Sequence, residues 1–359
     1  MNRVYNFAPG PSMLPLPVLQ KAQEELLDWQ GTGMSVMEMS HRSKVYLSIF
    51  ERTKATFKEV MGIPDNYHIL FLTGGATTQF AMVPMNLMVK GSADYIVSGN
   101  FAKNAAKEAA RYGEARVAAT SAETNFDRIP EIPAGALNPN ADYVHITTNN
   151  TIFGTKYNAL PETGNVPLVA DMSSNILSEP MDVSKFGLIY AGAQKNIGCA
   201  GLTMVVVRDD LVGHAKDSVP EIMNYATHVK NDSMKNTPPT YPIYIAGLVF
   251  DWIKEQGGVA ALKVVNECKA KLLYDALDAS GFYRPTARKQ DRSLMNVTFT
   301  TPSPELDEAF VKEAAKQGLQ TLKGHRVVGG IRASIYNAMP EAGVQALVDF
   351  MKDFEAKNG

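Results

Sequence analysis

The sequence predicts an α/β protein, with a large domain built on a mainly parallel sheet and a smaller α+β domain. Three observations carry that prediction. Short apolar runs alternate with helical stretches through the first two thirds of the chain. The residues best suited to chemistry fall at the ends of those runs, where an open α/β sheet presents side chains to a crevice. At 359 residues, 45% hydrophobic and 20% charged, the chain can bury more than one core.

Each element has its own signal. Between about 43 and 61, Val45, Ile49, Phe50, Phe57, Val60 and Met61 recur at helical spacing, and Gly62 followed by Pro64 stops the helix. His68 to Thr73 reads as a strand entering the Gly74-Gly75 turn, and a helix starts at Ala76. The rhythm repeats with a strand at Asp94 to Ser98 before the alanine-rich helix Phe101 to Tyr112. Further strands are expected near Tyr143 to Thr147, Val166 to Ala170, Leu188 to Ala191 and Leu202 to Val207. A proline-rich loop at 236 to 242 precedes a helix reaching about Gln256, and Gly257-Gly258 marks a boundary or hinge. The expected division is 15–258 for the large domain, with 1–14 and 259–359 forming the small one. There, Asn296 to Thr300 and Gly330 to Tyr336 look like strands, and Val344, Leu347, Val348, Met351 and Phe354 give the last helix its apolar face.

Composition excludes several classes of function. With 35 basic and 37 acidic residues the net charge is −2, and without a basic block nothing draws the chain to nucleic acid or an anionic membrane. The first residues lack the apolar stretch of a secretory leader, and runs such as Leu202 to Val207 are too short to span a bilayer, so a cytoplasmic location is expected. Cys199 and Cys268 are too few for a disulfide framework and lack metal-ligand spacing, so no metal is expected.

The run Ala-Gly-Ala-Gln-Lys-Asn-Ile-Gly at 191–198 places Lys195 among small neighbours at a strand end. Most lysines are solvated, but one packed here loses hydration and basicity, which suits a Schiff-base nucleophile. Asp171 follows the apolar strand Val166 to Ala170; its simplest role is capping the next turn. About 4 Å from a pyridinium nitrogen it would instead contribute roughly 4 kcal/mol at an effective dielectric near 20, enough to hold that nitrogen protonated. Gly74-Gly75-Ala76-Thr77 lets the backbone approach a phosphate and opens a helix whose first amides are unpaired, though a tight turn explains it as well. A Schiff-base lysine, a ring-nitrogen acid and a phosphate cradle are together what pyridoxal 5'-phosphate requires. Phe101 is placed to stack on a planar cofactor or to fill the core.

The arginines point to the substrate. In Ile331 to Tyr336 the period of two puts Arg332, Ser334 and Tyr336 on one face, either solvated or gripping a carboxylate through the planar guanidinium. His41-Arg42 and His325-Arg326 sit in Ser- or Gly-rich segments that an anion can approach. Together these groups fit a small molecule bearing a carboxylate and a phosphate.

At this point the chain resembles a known family, the phosphoserine aminotransferases of the class V, fold-type I pyridoxal phosphate-dependent enzymes. The motifs are Phe-Ala-Pro-Gly-Pro at 7–11, Ser-Val-Met-Glu-Met-Ser-His-Arg-Ser at 35–43, Ala-Asp-Met-Ser-Ser at 170–174 and Tyr-Ala-Gly-Ala-Gln-Lys-Asn-Ile-Gly at 190–198. Asn-Thr-Pro-Pro-Thr at 236–240 and the long run from Lys323 to Pro340 complete them, so the resemblance covers nearly the whole chain. It implies that Lys195 bonds the cofactor aldehyde, Asp171 pairs with the ring nitrogen, Thr151 meets the phenolic oxygen and Phe101 stacks on the ring. It assigns the cofactor phosphate to Ala76, Thr77 and Gln194, with Asn236 and Thr237 reaching across from a second copy, so the site requires a homodimer. Arg42 and Arg332 would bind carboxylates of glutamate or of a phosphorylated 2-oxo acid, and His41, His325 and Arg326 would lie near the substrate phosphate.

Two departures stand out: the family usually has tryptophan where this chain has Phe101, and many members have an arginine in the glycine loop where this one reads Ala-Thr-Thr. Neither removes an atom the chemistry needs. The activity implied is amino transfer from L-glutamate to 3-phosphohydroxypyruvate in serine biosynthesis. Bacterial relatives also use 3-hydroxy-4-phosphooxy-2-oxobutanoate in pyridoxine synthesis. The main alternative is a class V aminotransferase for an unphosphorylated amino acid, which would have no use for His325-Arg326. A desulfurase would need a mobile nucleophilic cysteine, and neither Cys199 nor Cys268 is placed as one. A non-enzymatic binding homologue would be expected to have lost Lys195, Asp171 or the arginines.

Overall fold

The computed structural model describes residues 3 to 359; Met1 and Asn2, the start of the expected 1–14 segment, lie outside the described residues. The chain begins with β1 (Tyr5–Asn6) and α1 (Leu16–Glu24). Helix α2 (Lys44–Met61) starts where the Ser43 side chain accepts the Tyr46 N–H, and ends at Gly62, whose φ of 66° suits a residue without Cβ. Then come β2 (Tyr67–Leu72), α3 (Gly75–Leu87), β3 (Ser92–Val97), α4 (Asn100–Ala109) and β4 (Glu114–Thr120). After β5 (Val144–Thr147), a short hairpin of β6 (Asn149–Asn150) and β7 (Thr155–Lys156) leads to β8 (Leu168–Asp171), β9 (Leu188–Gly192) and β10 (Thr203–Arg208). Helices α5 (Tyr225–Lys230) and α6 (Thr240–Glu255) follow.

Seven of these strands form one sheet in the order β2-β10-β9-β8-β5-β3-β4. It is parallel except at β10, which runs antiparallel to both neighbours, so β2, β3, β5, β8 and β9 all end at the same edge. The central strands read as continuous apolar runs because both faces are covered. Ile69, Phe71, Ile189, Ala191, Met204 and Val206 face the layer holding α1, α2 and α6, while Leu70, Leu72, Leu188, Tyr190, Val205 and Val207 face α3 and α4.

The remaining elements are α7 (Gly258–Ala279), β11 (Arg284–Pro285), β12 (Asn296–Thr300), α8 (Pro304–Lys316), β13 (Leu319–Gln320), β14 (Ile331–Ser334) and α9 (Glu341–Asn358). Strands β11, β12 and β14 make an antiparallel sheet, and β1 pairs in parallel with β13. A third core joins Phe7 and Met13 to apolar residues between Ala270 and Phe354. Helix α7 starts at the expected boundary yet crosses between cores: Leu262 packs in the large one, Ala270, Leu273 and Leu277 in the small one.

Strand β4 and helix α8 are not among the elements expected from the sequence. The first is an edge strand with one buried residue, and the second buries only Phe310 and Ala314. Among the described residues, no helix is long and apolar enough to cross a membrane.

Candidate active site

The sheet edge where β2, β3, β5, β8 and β9 end carries a cavity of about 260 Å³, lined among others by Gly75, Ala76, Thr77, Phe101, Thr151, Asp171, Gln194, Lys195, His325 and Arg332. Strand β9 delivers Lys195 through a tight turn in which the Lys195 and Gly198 amides both donate to the Ala193 carbonyl at 2.8 Å. A Cβ at Gly192 would meet the end of the Gln194 side chain, which packs against this glycine.

Lys195 is 9% exposed. Its Nζ donates to Thr151 Oγ1 at 2.7 Å and lies 5.8 Å from the centre of the Phe101 ring. Burial brings its pKa down to about 8; Asp171 works against that shift and the positive charge of Arg332 adds to it. The small residues around Lys195 predict this lowered basicity.

Asp171 ends β8 in register with Thr147 on one side and Tyr190 on the other. Its Oδ1 accepts the Ser173 N–H at 2.9 Å, and the Ser173 Oγ in turn accepts the Gly192 N–H at 3.1 Å, which ties the aspartate to the lysine turn. Burial raises its pKa, while Ser173 and the Lys195 ammonium favour the ionised form.

At the mouth of α3, Gly74 and Gly75 have φ of 93° and 69°, and no side chain caps the helix. The first amides of the helix, at Ala76 and Thr77, therefore remain available beside the cavity.

Arg332 is 7% exposed, so the solvated-face alternative does not hold; Ser334 and Tyr336 are buried as well. Its Nη1 donates to the Thr151 carbonyl at 3.3 Å, and its Nε is buried with no partner. Among the described residues no carboxylate forms an ion pair with it. A desolvated guanidinium lining a cavity without a counter-ion is a receptor for an anion. His325 lines the same cavity; burial, then Arg332 and Arg326, lower its pKa, and its Nδ1 accepts the Val327 N–H at 3.3 Å.

Five expected residues stand outside this cavity in the single chain. Arg326 is exposed on the loop beside His325. Arg42 is exposed, and His41 is half-buried with Nε2 lacking a partner. Asn236 and Thr237 are exposed, Asn236 lining a separate cavity behind the Gly74 turn.

The residue reading missed the N-terminal segment. Ser12 Oγ donates to the Lys195 carbonyl at 2.8 Å across 183 residues, and Gly10 lines the same cavity as Lys195. The Phe-Ala-Pro-Gly-Pro run was visible as a motif, but no local pattern says what it touches.

The donor set fits pyridoxal 5'-phosphate: an amine of lowered basicity, a buried carboxyl, an aromatic face and an uncapped glycine-opened helix meet in one cavity.

Comparison with known proteins agrees with this chemistry. The family described as Aminotransferase class-V matches residues 4–347. The chain is 55% identical to a phosphoserine aminotransferase of Bacillus cereus over 359 residues, all of both chains. The structure of phosphoserine aminotransferase from Bacillus circulans subsp. alkalophilus superposes with a TM-score of 0.97 at 48% identity, covering 100% of both chains. A PLP-bound phosphoserine aminotransferase from Trichomonas vaginalis gives 0.94 at 38% identity, covering 98% of this chain and 100% of that one.

Proposed function

The chain belongs to the class V aminotransferase family, and from that premise we propose that it transfers the amino group of L-glutamate to 3-phosphohydroxypyruvate, giving O-phospho-L-serine and 2-oxoglutarate. The observation that carries the reading is the buried, counter-ion-free Arg332 in the same cavity as Lys195, in a chain similar along its whole length to phosphoserine aminotransferases. Pyridoxal 5'-phosphate, when bound, supplies an aldehyde that accepts the amino group and a protonated ring that withdraws electrons from the substrate Cα.

The protein's own residues do the rest. Lys195 Nζ, with its lowered basicity, is the base that takes the Cα proton once it is free as an amine. Asp171, held by Ser173, keeps a negative charge where the ring nitrogen needs a counter-ion. The Ala76 and Thr77 amides and Gln194 hold the cofactor phosphate, Thr151 its phenolic oxygen, and Phe101 one face of its ring. Arg332 grips the substrate carboxylate and thereby orients Cα toward Lys195.

His325 and Arg326 meet the phosphate of one substrate and the distal carboxylate of the other, which share one space. We assign a homodimer, because His41, Arg42, Asn236 and Thr237 lie outside their own protomer's cavity and are free to reach a partner's. Asn236 and Thr237 would complete the partner's phosphate cradle, with Arg42 and His41 adding carboxylate and phosphate contacts. A cytoplasmic location belongs to the same reading, and the unpaired thiols of Cys199 and Cys268 suit a reducing compartment.

The test is to incubate the purified protein with glutamate and 3-phosphohydroxypyruvate and measure phosphoserine. The wild type should form it and Lys195→Ala should not. A wild type that makes none, yet aminates an unphosphorylated 2-oxo acid well, would reject the substrate. Replacing 3-phosphohydroxypyruvate with 3-hydroxy-4-phosphooxy-2-oxobutanoate and measuring the 2-oxoglutarate formed from glutamate decides the second activity.

A further inference from the structure

Beneath the cavity lies a buried polar cluster that the chemistry above does not use. It is built from three asparagines and one lysine. Lys269, on α7, is fully buried, and its ammonium donates to the carbonyls of Ile335, Tyr336 and Met339 at 3.2, 2.8 and 3.0 Å. One turn earlier on the same helix, Asn266 Nδ2 donates to the Ser178 carbonyl and to Asn337 Oδ1, both at 2.9 Å. Asn337 donates from its own Nδ2 to the Leu177 carbonyl at 2.8 Å, and from its backbone N–H to Asn196 Oδ1 at 3.0 Å. Asn196 closes the cluster by donating to the Ile176 carbonyl at 3.0 Å.

The segments joined here are those that follow the three site residues. Asn196 is the neighbour of Lys195, residues 176–178 follow the strand ending at Asp171, and residues 335–339 follow the strand carrying Arg332. Helix α7 holds them together where it passes from the large core to the small one. A lysine is an expensive choice for such a place, since burial alone pushes its pKa down to about 7. Three carbonyl oxygens gathered on its Nζ satisfy the buried amine and fix the loop in one geometry. An apolar side chain could fill the volume but could not gather three carbonyls.

We propose that Lys269, acting through the loop 335–339 and the Asn266–Asn337–Asn196 chain, is a positioning residue that sets the separation of Arg332 from Lys195. The proposal rests on the roles given above to those two residues. It explains how a carboxylate grip on the small domain keeps register with a base on the large one. With the cluster loosened, Arg332 shifts relative to Lys195, so the substrate Cα is presented off-line and the positive charge that lowers the lysine's basicity weakens.

The experiment compares wild type, Lys269→Met and Arg332→Ala as cofactor-loaded full-length enzymes, with circular dichroism and cofactor absorbance confirming fold and loading. For Lys269→Met, KM for glutamate should rise roughly 10- to 100-fold, as when an orienting partner is lost, with a smaller change in kcat. The pH midpoint of the bound cofactor's absorbance change should move upward, a shift that simple loss of stability does not produce. A folded, loaded Lys269→Met with wild-type KM and midpoint overturns the proposal. If that variant does not fold, Asn337→Ala carries the same two expectations and the same overturning result. Arg332→Ala separates the two claims: if it leaves KM for glutamate unchanged, the site assignment itself has failed. If it raises KM while the Lys269 and Asn337 variants do not, only the positioning role has.

Discussion

At the scale of single residues, the site depends on moving one pKa. A lysine at its ordinary value is about one part in a thousand neutral at pH 7.5, whereas one near 8 is about one quarter neutral. Lys195 is in the second state because burial outweighs the attraction of Asp171, and Arg332 adds repulsion. Only the neutral amine attacks an aldehyde, so the rate at which apoenzyme takes up cofactor should rise with pH through a midpoint near 8 and level off above it. Stopped-flow absorbance across pH 6 to 10 measures this; a rate still climbing steeply at the top of that range would show an unperturbed lysine. The sequence disclosed the small residues around Lys195 and so the direction of the shift. It could not disclose Thr151 as the hydroxyl at 2.7 Å, because 44 residues separate the two.

At the scale of elements, the decisive feature is the strand-to-helix turn between β2 and α3. Gly74 and Gly75 both have positive φ, but a Cβ at Gly74 would collide with the Thr78 side chain, while one at Gly75 would meet nothing. Gly74→Ala should therefore cost about 1–3 kcal/mol of stability and weaken cofactor binding, with Gly75→Ala nearer the lower end in stability. Thermal unfolding and cofactor titration of both variants check the order; equal losses would contradict the steric argument. The glycine pair, the strand before it and the helix after it were legible because turn chemistry is local. Among the elements that escaped were α1, β4 and α8, each of which buries no more than two side chains.

At the scale of the whole molecule, the sheet edge and the small domain bring Asp171, Lys195 and Arg332 together, while α7 and its polar cluster hold their loops in register. Alternation of strand and helix predicted that sheet, and the motif at Asp171 and the one at Lys195 fell at strand ends as expected. The crossing of α7 from one core to the other could not be read locally, since it rests on contacts distant in sequence. The central claim is that Lys195 makes phosphoserine in a site that two copies complete. Mixed dimers of Lys195→Ala and Asn236→Ala chains test it. If Asn236 serves the partner's site, one site of each mixed dimer carries both defects and the other carries neither. Phosphoserine formation should then return to about half the wild-type rate, although each parent dimer is impaired. Mixed dimers no more active than the mean of their parents would contradict the shared site.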